Sequence, residues 1–456
     1  MKKACVIVLG EISQSPRMQF HALSLAEIGY HVDFICHAKS SPYKEISNNS
    51  LIHVYSLRRF PNLELNLFYV ILLILNFLWT IVNVFIILSK IKNPDIIFIQ
   101  NPPAIFVLPI IKLYTKFYWK HCKIILDWHN YGHTIFALKY PTHLYLYKLY
   151  KCLEIKMGLW TDYNLCVSNA LKMDLIENYN INAKILYDFP QMFFSAPISI
   201  EDKHTLFLKL FPIDLIHKSS NVSNISVTET LFTFQTVKED ESIITEYKRD
   251  RPALIISSSS WTEDEDFSYL IHAMDMYELK LKSVQTNVPS SSNSYPMIVC
   301  VLTGRGPLRE YYESMITNKN YEFITFRFIW LDSSDYLTLL TSSDLGVCLH
   351  NSSSGLDLPM KILDMYGCNL PVLAYYYPTI LELVTPGENG MLFTNKEDLF
   401  VQLTDLLRGF PNASTKLKWL KKYIESNKTY WADNWNEVVI PLLSDKGDDQ
   451  SCEKEE

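Results

Sequence analysis

Residues 344–390 combine side chains and backbone features that suit the binding of a sugar nucleotide. The apolar run Leu345–Leu349 predicts a strand, and Pro359 marks the start of a helical pattern. Between strand and helix lie Ser354, Gly355 and other small residues, which let a ligand approach the backbone closely. Because the unpaired N–H groups and the dipole at a helix N-terminus favour phosphate, this stretch predicts a diphosphate site.

Two charged residues in the predicted helix extend this interpretation. Lys361 adds a positive charge in the first turn, and Asp364, three residues later, lies on the same helix face. We expect the Asp364 carboxylate to accept hydrogen bonds from a ribose diol while the helix N-terminus holds the diphosphate. The alternative is a surface βαβ unit with an ordinary N-terminal proline and no ligand.

Two other strand ends in the same half of the chain supply further donor-binding candidates. Ser260 and Trp261 follow one predicted strand, and Gly304 and Arg305 follow the next strand in a tight turn that opens a helix. Backbone N–H groups in such a turn, together with a guanidinium group, suit a phosphate.

The acidic segment after Trp261 has two possible explanations. Asp264 and Asp266 match the D-x-D pattern of metal-dependent transferases. Thr262 and Glu265 also match a helix capping box, which accounts for the charges without a metal ion. The sequence therefore predicts a capped helix and no metal site here.

In the first half of the chain, three candidates follow the first predicted strand. Glu11 and Arg17 lie in a loop that has little structural need for either charge, and His21 lies one turn after Arg17. Ligands of open α/β sheets bind at the carboxyl ends of strands, where this loop is expected. The alternative for His21 is a residue packed beneath the loop.

The segment DWHNYGH, at the end of a later strand, combines polar and aromatic groups. Asp127, His129 and Asn130 beside Trp128 form the kind of polar cluster on an aromatic floor that binds a sugar face. His129 is also a candidate base, with Asp127 as the carboxylate that orients it. The alternative is an aromatic loop that packs on the apolar segment described below.

Alternating strand and helix patterns carry all these residues, which predicts an α/β protein with two Rossmann-like domains of parallel sheet. The predicted divisions are an N-terminal acceptor and membrane domain, a partly disordered linker or insertion, a nucleotide-sugar domain, C-terminal helices that cross back to the first domain, and an acidic tail. Their ranges are 1–190, 191–250, 251–410, 411–444 and 445–456.

Composition narrows the class of protein further. The 456 residues are 48% hydrophobic and 13% aromatic, which indicates apolar surface used for lipid or for contact between domains. A net charge of −7 gives no support for nucleic-acid binding. The nine cysteines show no zinc-site spacing, and they are expected to be reduced thiols in the cytosol.

Residues 65–89 contain no charged side chain and are long enough to cross a hydrocarbon core. They lie between two strands of one sheet, so we favour a helix or helical hairpin that lies in or dips into the cytosolic leaflet. A full span and a buried core helix are the alternatives. Residues 106–119 follow with Lys112, Lys116 and Lys120 on one side, which suits an anionic lipid surface or a lipid diphosphate.

The spacing of residues 359–390 resembles the nucleotide-sugar half of GT-B glycosyltransferases, whose two Rossmann-like domains face each other across a cleft. The matching residues are Pro359, Lys361, Asp364, Gly367, Pro371, Val372, Glu382, Gly387, Asn389 and Gly390. Most such enzymes place Glu where this chain has Asp364, which shortens the ribose clamp by one methylene.

Across nearly the whole chain, the motifs resemble the chitobiosyldiphosphodolichol β-mannosyltransferase family. They are GEISQSPRMQFHALSLA, QNPP, DWHNYGH, SSSSWTEDEDF, TGRGPLREYY and DLGVCLHNSSSGLDLPMKILDMYGC. The resemblance implies GDP-mannose as donor and di-N-acetylchitobiosyl diphosphodolichol as acceptor, on the cytosolic face of the endoplasmic reticulum membrane. It also implies a β-1,4 linkage in the lipid-linked oligosaccharide made for protein N-glycosylation, and a complex with other dolichol-pathway mannosyltransferases.

The β-linked product of the family requires inversion, and therefore a general base for the acceptor hydroxyl. The first candidate for this base is Glu11, which stands where relatives commonly carry Asp, and Asp127 and His129 come next. No cofactor is expected to be required, with a divalent cation at most stimulatory. The expected donor contacts are Ser260, Trp261, Gly304, Arg305, Ser354, Gly355, Lys361, Asp364 and Glu382, and the expected acceptor contacts are Arg17, His21, Trp128 and Asn130.

Two rival functions remain open at this point. The chain fits another GT-B transferase with a UDP-sugar donor, because the loops that select the base are not readable from the sequence. It also fits a non-catalytic GT-B-like subunit that binds membrane, although charged candidates in both halves argue against this.

Overall fold

A computed structural model describes residues 2–58, 60, 69–212, 218–219, 226–238, 240–286 and 295–444. The chain forms two compact units, the first made of residues 1–189 and 430–456 and the second of residues 190–429. The predicted acidic tail lies outside the described residues.

The described residues form seventeen strands, most of which follow the predicted apolar runs. In chain order they are β1 (Lys3–Glu11), β2 (His31–His37), β3 (Ile52–Ser56), β4 (Ile96–Asn101), β5 (Lys123–Trp128), β6 (Tyr163–Cys166), β7 (Ala183–Ile185), β8 (Lys218–Ser219), β9 (Ser226–Val227), β10 (Thr233–Val237), β11 (Ile243–Tyr247), β12 (Ala253–Ser258), β13 (Ile298–Thr303), β14 (Ile324–Ile329), β15 (Leu345–Cys348), β16 (Val372–Tyr375) and β17 (Gly390–Phe393).

Helices connect most of these strands. They are α1 (Pro16–Glu27), α2 (Lys44–Ser47), α3 (Tyr69–Leu88), α4 (Leu108–Phe117), α5 (Gly132–Lys139), α6 (Leu144–Gly158), α7 (Asn169–Tyr179), α8 (Ile200–Leu210), α9 (Ser268–Thr286), α10 (Arg309–Thr317), α11 (Ser333–Ser342), α12 (Met360–Gly367), α13 (Lys396–Leu407), α14 (Thr415–Ser426) and α15 (Trp431–Ser444).

The first unit is built on a parallel sheet of seven strands in the order β3-β2-β1-β4-β5-β6-β7. Its central strands are buried on both faces, which explains why residues 4–8, 96–99 and 124–126 read as continuous apolar runs. The strand order reverses between β1 and β4. In open α/β sheets this switch point opens the crevice where ligands bind.

The second unit repeats this arrangement with a parallel sheet of six strands, in the order β14-β13-β12-β15-β16-β17. Its switch point lies between β12 and β15, and α9 and α13 pack on one face of the sheet. The predicted α/β class with two Rossmann-like domains is confirmed.

The prediction of a partly disordered linker at residues 191–250 is wrong for much of that segment. Helix α8 and the β10–β11 hairpin form there within the second unit, around an aromatic cluster. The Phe207 and Phe232 ring centroids lie 4.6 Å apart, and those of Phe211 and Phe232 lie 5.3 Å apart. Three aromatic side chains at irregular spacing bury enough apolar surface to order a segment without clear periodicity.

The two C-terminal helices belong to different units. Helix α14 lies in the second unit, whereas α15 lies in the first and packs on α1. The Trp431 indole donates a 3.0 Å hydrogen bond to the Ser24 hydroxyl, and Trp431 and Trp435 are both fully buried. Helix α15 thus completes the core of the first unit.

Within the apolar run at 65–89, the structure forms α3 over Tyr69–Leu88, and residues 65–68 lie outside the described part of the chain. Val84 and Leu88 are buried against the unit, while Phe77, Phe85 and neighbouring side chains are exposed. Of the helices in the described ranges, none meets the length and hydropathy needed to cross a membrane.

Candidate functional site

The switch point of the first unit gathers the predicted residues around one buried carboxylate. Asp127, at the carboxyl end of β5, is fully buried. The Arg17 guanidinium binds both of its oxygens, with Nε 2.7 Å from Oδ2 and Nη2 2.8 Å from Oδ1. Arg17 also donates from Nη1 to Asp188 Oδ1 at 2.7 Å and to the Leu186 carbonyl at 2.8 Å. One guanidinium group thereby links α1, β5 and the segment after β7.

The Arg17 cation lies between two anions in this cluster, Asp127 and Asp188. Burial alone raises the pKa of Asp127, but the Arg17 charge and hydrogen bonds from His129 and His21 bring that pKa well below its ordinary value. Burial likewise works against the Arg17 cation, but Asp127 and Asp188 raise its pKa above the ordinary value. Asp127 is therefore a permanent anion that accepts hydrogen bonds, which disqualifies it as a proton acceptor in a reaction.

The tautomer of His21 follows from its two neighbours. Its Nε2 lies 3.1 Å from Asp127 Oδ2, and its Nδ1 lies 3.0 Å from Trp435 Nε1. An indole N–H only donates and this carboxylate only accepts, so His21 is neutral with its proton on Nε2. Burial also lowers the pKa of His21. Of the two interpretations of His21, the structure therefore supports the one in which it packs beneath the loop.

His129 differs from the rest of the cluster because it reaches the surface. Its Nε2 lies 2.9 Å from Asp127 Oδ2, and its side chain is 22% exposed, against 0% for Asp127 and 1% for Arg17. Asp127 accepts the Nε2 proton, which leaves the lone pair of the neutral imidazole on Nδ1. A carboxylate that orients a partly exposed imidazole in this way is the usual arrangement of a histidine base.

Glu11, the first candidate for the base, has a different set of contacts. Its Oε1 accepts hydrogen bonds from Lys39 N at 2.7 Å, Ser40 N at 2.9 Å and Ser40 Oγ at 2.8 Å. All three donors bind one oxygen of the carboxylate. In this structure Glu11 fixes the loop after β2 against the end of β1.

The predicted acceptor contacts Trp128 and Asn130 are also buried. Trp128 is fully buried and donates from Nε1 to Asn164 Oδ1 at 2.8 Å, and Asn130 Oδ1 accepts from Tyr131 N at 2.7 Å. Both side chains shape the loop from beneath, as do Arg17 and His21. The prediction that these four side chains contact the acceptor directly is therefore corrected, because they support the loop instead.

Glu154 of α6 is a supporting residue that the sequence did not reveal. Its buried carboxylate accepts from Asn101 Nδ2 at 2.9 Å, Gly132 N at 2.8 Å and His133 Nδ1 at 2.6 Å. It fixes the segment that follows His129. The only signal for it was a single acidic residue within a helix rich in Leu, Tyr and Lys.

At the switch point of the second unit, Glu265 has the role that Asp127 has in the first. Its Oε2 accepts from Ser259 Oγ at 2.5 Å, Ser260 N at 2.8 Å and Trp261 N at 3.1 Å. Its Oε1 lies 2.5 Å from Lys361 Nζ. The predicted capping box is wrong, because α9 begins at Ser268 and Glu265 instead fixes the loop after β12.

Lys361 lies in the first turn of α12, and Asp364 lies three residues later in the same helix, as predicted. The Lys361 side chain is 27% exposed, so its ammonium group is anchored by Glu265 without being buried. Burial raises the pKa of Asp364 to about 7, although Lys361 and a hydrogen bond with Tyr336 act in the opposite direction. Asp364 is consequently a carboxyl group whose charge changes near neutral pH.

The remaining donor candidates fall into two groups. Trp261 is fully buried, with its ring 4.3 Å from that of Phe267, so the prediction that its side chain contacts the donor is corrected to a core role. Arg305 is exposed, and its guanidinium lies 4.1 Å from the centre of the Trp330 ring. Stacking on an exposed ring holds Arg305 extended at the strand end.

Gly304 explains why this turn is so tight. It has a φ of +110°, and a Cβ atom there would lie 1.8 Å from the Ser259 carbonyl oxygen. The loops after β12 and β13 therefore touch through their backbones. The glycine serves this approach.

The loop between β15 and α12 contains the other predicted residues. Ser354 Oγ accepts from Leu356 N at 3.1 Å, and the Gly355 carbonyl accepts from Thr379 Oγ1 at 2.5 Å. Gly355 has a φ of +75°, a conformation that favours glycine. Glu382 is exposed at the end of the short helix Pro378–Glu382.

His350 and Asp357 in this loop were missed from the sequence. His350 Nδ1 lies 3.0 Å from Asp264 Oδ2, and its Nε2 lies 3.2 Å from Asp357 Oδ2. Asp266 Oδ1 instead accepts from Ser268 N at 2.9 Å and Tyr312 OH at 3.2 Å. The two aspartates of the D-x-D pattern thus have separate protein partners, and the described residues contain no group of three or more side chains suited to hold a metal ion.

Comparison with known proteins places both units in one enzyme class. The family model Glycosyltransferase Family 4 matches residues 21–187, and the model Glycosyl transferases group 1 matches residues 239–416. Among solved structures, Anabaena HepE in complex with UDP and glucose superimposes with a TM-score of 0.63 at 13% identity, covering 97% of this chain and 100% of that one. These matches confirm the GT-B fold.

Two full-length relatives are far closer in sequence. UDP-glycosyltransferase TURAN of Arabidopsis thaliana is 38% identical over 463 residues, covering 97% of this chain and 97% of the relative. Chitobiosyldiphosphodolichol beta-mannosyltransferase of Homo sapiens is 38% identical over 450 residues, covering 96% of this chain and 92% of the relative.

Replacement of Asp364 with Asn should increase stability above neutral pH. With a folded pKa near 7 against an ordinary value of 3.8, the folded protein keeps a proton that the unfolded chain releases, so stability falls as pH rises through this window. Between pH 5 and pH 8, the free energy of unfolding measured in urea should rise for Asp364→Asn relative to wild type by about 2 kcal/mol. Asp250→Asn, at an exposed position, is the control. Parallel pH curves for wild type and Asp364→Asn would contradict the assignment.

Proposed function

This chain belongs to the chitobiosyldiphosphodolichol beta-mannosyltransferase family of GT-B glycosyltransferases, and we propose that it moves mannose from GDP-mannose to di-N-acetylchitobiosyl diphosphodolichol with a β-1,4 linkage. Full-length identity of 38% to the human relative supports this acceptor, because nearly all of both chains align. The single structural observation that carries the proposal is the Asp127–His129 pair at the switch point of the first unit.

We propose that the second unit binds the sugar nucleotide. Its switch point presents Lys361, Arg305 and the small-residue loop at Ser354 and Gly355, which suit a diphosphate. Asp364 lies on the same helix as Lys361, and we assign its carboxyl group to accept hydrogen bonds from the ribose hydroxyls. Glu382 is assigned to the edge of the donor sugar or ribose.

The reaction that we propose is one in-line displacement with inversion at the anomeric carbon. His129 Nδ1 takes the proton from the acceptor 4-hydroxyl, whose oxygen forms the new bond to mannose C1. The bond between C1 and the diphosphate oxygen breaks, and its electron pair leaves with GDP. Asp127 stabilises the imidazolium that forms, and Lys361 and Arg305 stabilise the charge that develops on the leaving diphosphate. These cations support transfer without a required metal ion.

We propose that helices of the first unit bind the cytosolic face of the endoplasmic reticulum membrane, where a dolichol-linked acceptor resides. Helices α3 to α6 expose large apolar side chains in one region of this unit. We call this set the apolar face: Phe77, Leu78, Val82, Phe85, Ile86, Leu113, Phe117, Tyr118, Leu144, Tyr145, Leu146 and Leu149. Exposed Lys116, Lys120 and Lys148 accompany it and suit anionic lipid.

A complex with other dolichol-pathway mannosyltransferases rests on the family resemblance alone, and co-purification tests it.

The donor is tested by turnover with a panel of nucleotide sugars. The purified chain, in detergent with a synthetic chitobiosyl diphosphate lipid, should transfer mannose from GDP-mannose at least 100-fold faster than any sugar from UDP-glucose, UDP-galactose or UDP-N-acetylglucosamine. Activity should persist after chelation with EDTA. Faster transfer from a UDP-sugar would favour the second candidate function, which the name of the Arabidopsis relative supports. An acceptor that binds while every donor stays inert would identify a non-catalytic subunit.

Substitution of the candidate bases should separate their roles. His129→Gln is expected to lower kcat by 100-fold or more, because general base catalysis is worth about 10²–10⁴-fold. Glu11→Gln should lower kcat less than tenfold, since its carboxylate fixes a loop. Initial rates at saturating GDP-mannose and lipid acceptor provide the measurement. The opposite ranking of the two variants would assign the base to Glu11.

The apolar face should bind lipid vesicles. The double variant Leu146→Glu/Leu149→Glu is expected to reduce co-sedimentation with vesicles of neutral and anionic phospholipid by tenfold or more, because it buries two charges in the interface. Leu279→Glu is the matched control, since Leu279 is 66% exposed on α9 of the second unit. Unchanged sedimentation of the double variant would place the lipid contact elsewhere.

A further inference from the structure

His350 occupies an unusual position in the second unit. It lies two residues after the end of β15, at the switch point, and its side chain is only 17% exposed. Each of its ring nitrogens faces a carboxylate, with Asp264 Oδ2 at 3.0 Å and Asp357 Oδ2 at 3.2 Å. The family comparison and the donor-binding residues assigned above give this imidazole no role.

The two carboxylates belong to the two loops that border the switch point. Asp264 lies in the loop after β12, and its carbonyl accepts a 2.8 Å hydrogen bond from Asn351 N. Asp357 lies at the far end of the β15 loop, where its second carboxylate oxygen accepts from the Ser352 hydroxyl. The Asp357 carbonyl accepts from Tyr377 OH at 2.9 Å. His350 therefore joins both ends of the loop that contains Ser354 and Gly355 to the neighbouring loop.

Both ring nitrogens can donate to carboxylates only when the imidazole is protonated. Burial lowers the pKa of His350, but hydrogen bonds and the charges of Asp264 and Asp357 raise it to about 9. The imidazolium in turn contributes to lowering the pKa of Asp264 to about 2 against the effect of burial. The geometry and the charges therefore describe one cation shared by two anions at neutral pH.

The other groups near this triad, within the described part of the chain, are paired elsewhere or neutral. Glu265, whose backbone pairs with that of His350, forms an ion pair with Lys361. Cys348 is a buried thiol with a raised pKa, and the Tyr377 ring centre lies 6.3 Å from that of His350. Loss of the imidazolium would remove a positive charge from between Asp264 and Asp357, beside the proposed diphosphate site.

We propose that His350 is a positioning residue of the donor site, which as an imidazolium locks the loop of residues 351–357 against the loop after β12 and cancels negative charge that would repel a nucleoside diphosphate. This inference rests on the proposed donor-binding role of the second unit. It predicts an effect on donor affinity rather than on chemistry, because His350 touches the loop and not the reacting atoms.

The first arm of the test is independent of any ligand. Hydrogen exchange of the amides of residues 351–357 should be at least tenfold faster in His350→Gln than in wild type, because an amide side chain lacks the charge and cannot donate to both carboxylates. The matched control is His272→Gln, since His272 is an exposed histidine of the same unit that lies 3.7 Å from Glu397. Unchanged exchange in His350→Gln would overturn the proposal.

The second arm measures the affinity for GDP and for UDP by calorimetry at pH 7.5. His350→Gln should weaken binding of the nucleotide that wild type prefers by tenfold or more, raise the donor KM similarly and change kcat less than threefold. Adding Asp264→Asn to His350→Gln should restore affinity, since it removes one of the repelling charges, whereas a merely structural role predicts no rescue. Wild-type affinity should also decrease as pH rises through about 9, a step that His350→Gln should lack.

The outcomes separate this inference from the proposed function. Preference for UDP by wild type would contradict the proposed donor, and the His350→Gln defect would still support the positioning role. If wild type binds neither nucleotide, the proposed function fails and the exchange of residues 351–357 decides the role of His350. Wild-type affinity in His350→Gln, or a loss that Asp264→Asn does not rescue, would overturn the charge argument.

Discussion

The buried Asp127 carboxylate is the constraint on which the first unit depends. Desolvation of a single carboxylate costs several kcal/mol, so it is stable only with the bidentate Arg17 and the two histidines that surround it. Arg17 and His21 lie on α1 and His129 follows β5, while Asp188 and Trp435 connect the network to the segment after β7 and to helix α15. The network consequently fixes the carboxyl ends of the strands and the orientation of His129 together.

The second unit repeats this physical solution with different residues. Glu265 is 4% exposed and Lys361 is 27% exposed, much as Asp127 is 0% and His129 is 22% exposed. In each unit a buried carboxylate collects hydrogen bonds from strand-end loops and holds a partly exposed basic group at the switch point. The ordering cost of that basic group is met by the fold before any ligand binds, which is the preorganisation that electrostatic catalysis requires.

Much of the architecture was predictable because central strands buried on both faces leave continuous apolar runs, as at residues 4–8 and 253–256. Segment 191–250 was misread because Phe207, Phe211 and Phe232 have no helical or strand period, yet they bury one cluster. Among the candidate residues, type and strand-end location pointed to Asp127, His129, Lys361 and Asp364, which the structure places near the two switch points. The direction in which a side chain points is not readable from sequence, so the predicted ligand contacts include Trp261 and Trp128, which are buried. Glu265 and His350 were missed as partners because their roles arise from pairs far apart in the chain.

The reaction that we propose is a single displacement at mannose, with a base from the first unit and a diphosphate leaving group bound by the second. The most direct measurement is the anomeric configuration of the product made from GDP-mannose and a synthetic chitobiosyl diphosphate lipid. Complete release of the new mannose by β-mannosidase, with resistance to α-mannosidase, is the result that we predict. A product that α-mannosidase cleaves would mean retention at the anomeric carbon, and would contradict His129 as the base of an inverting reaction.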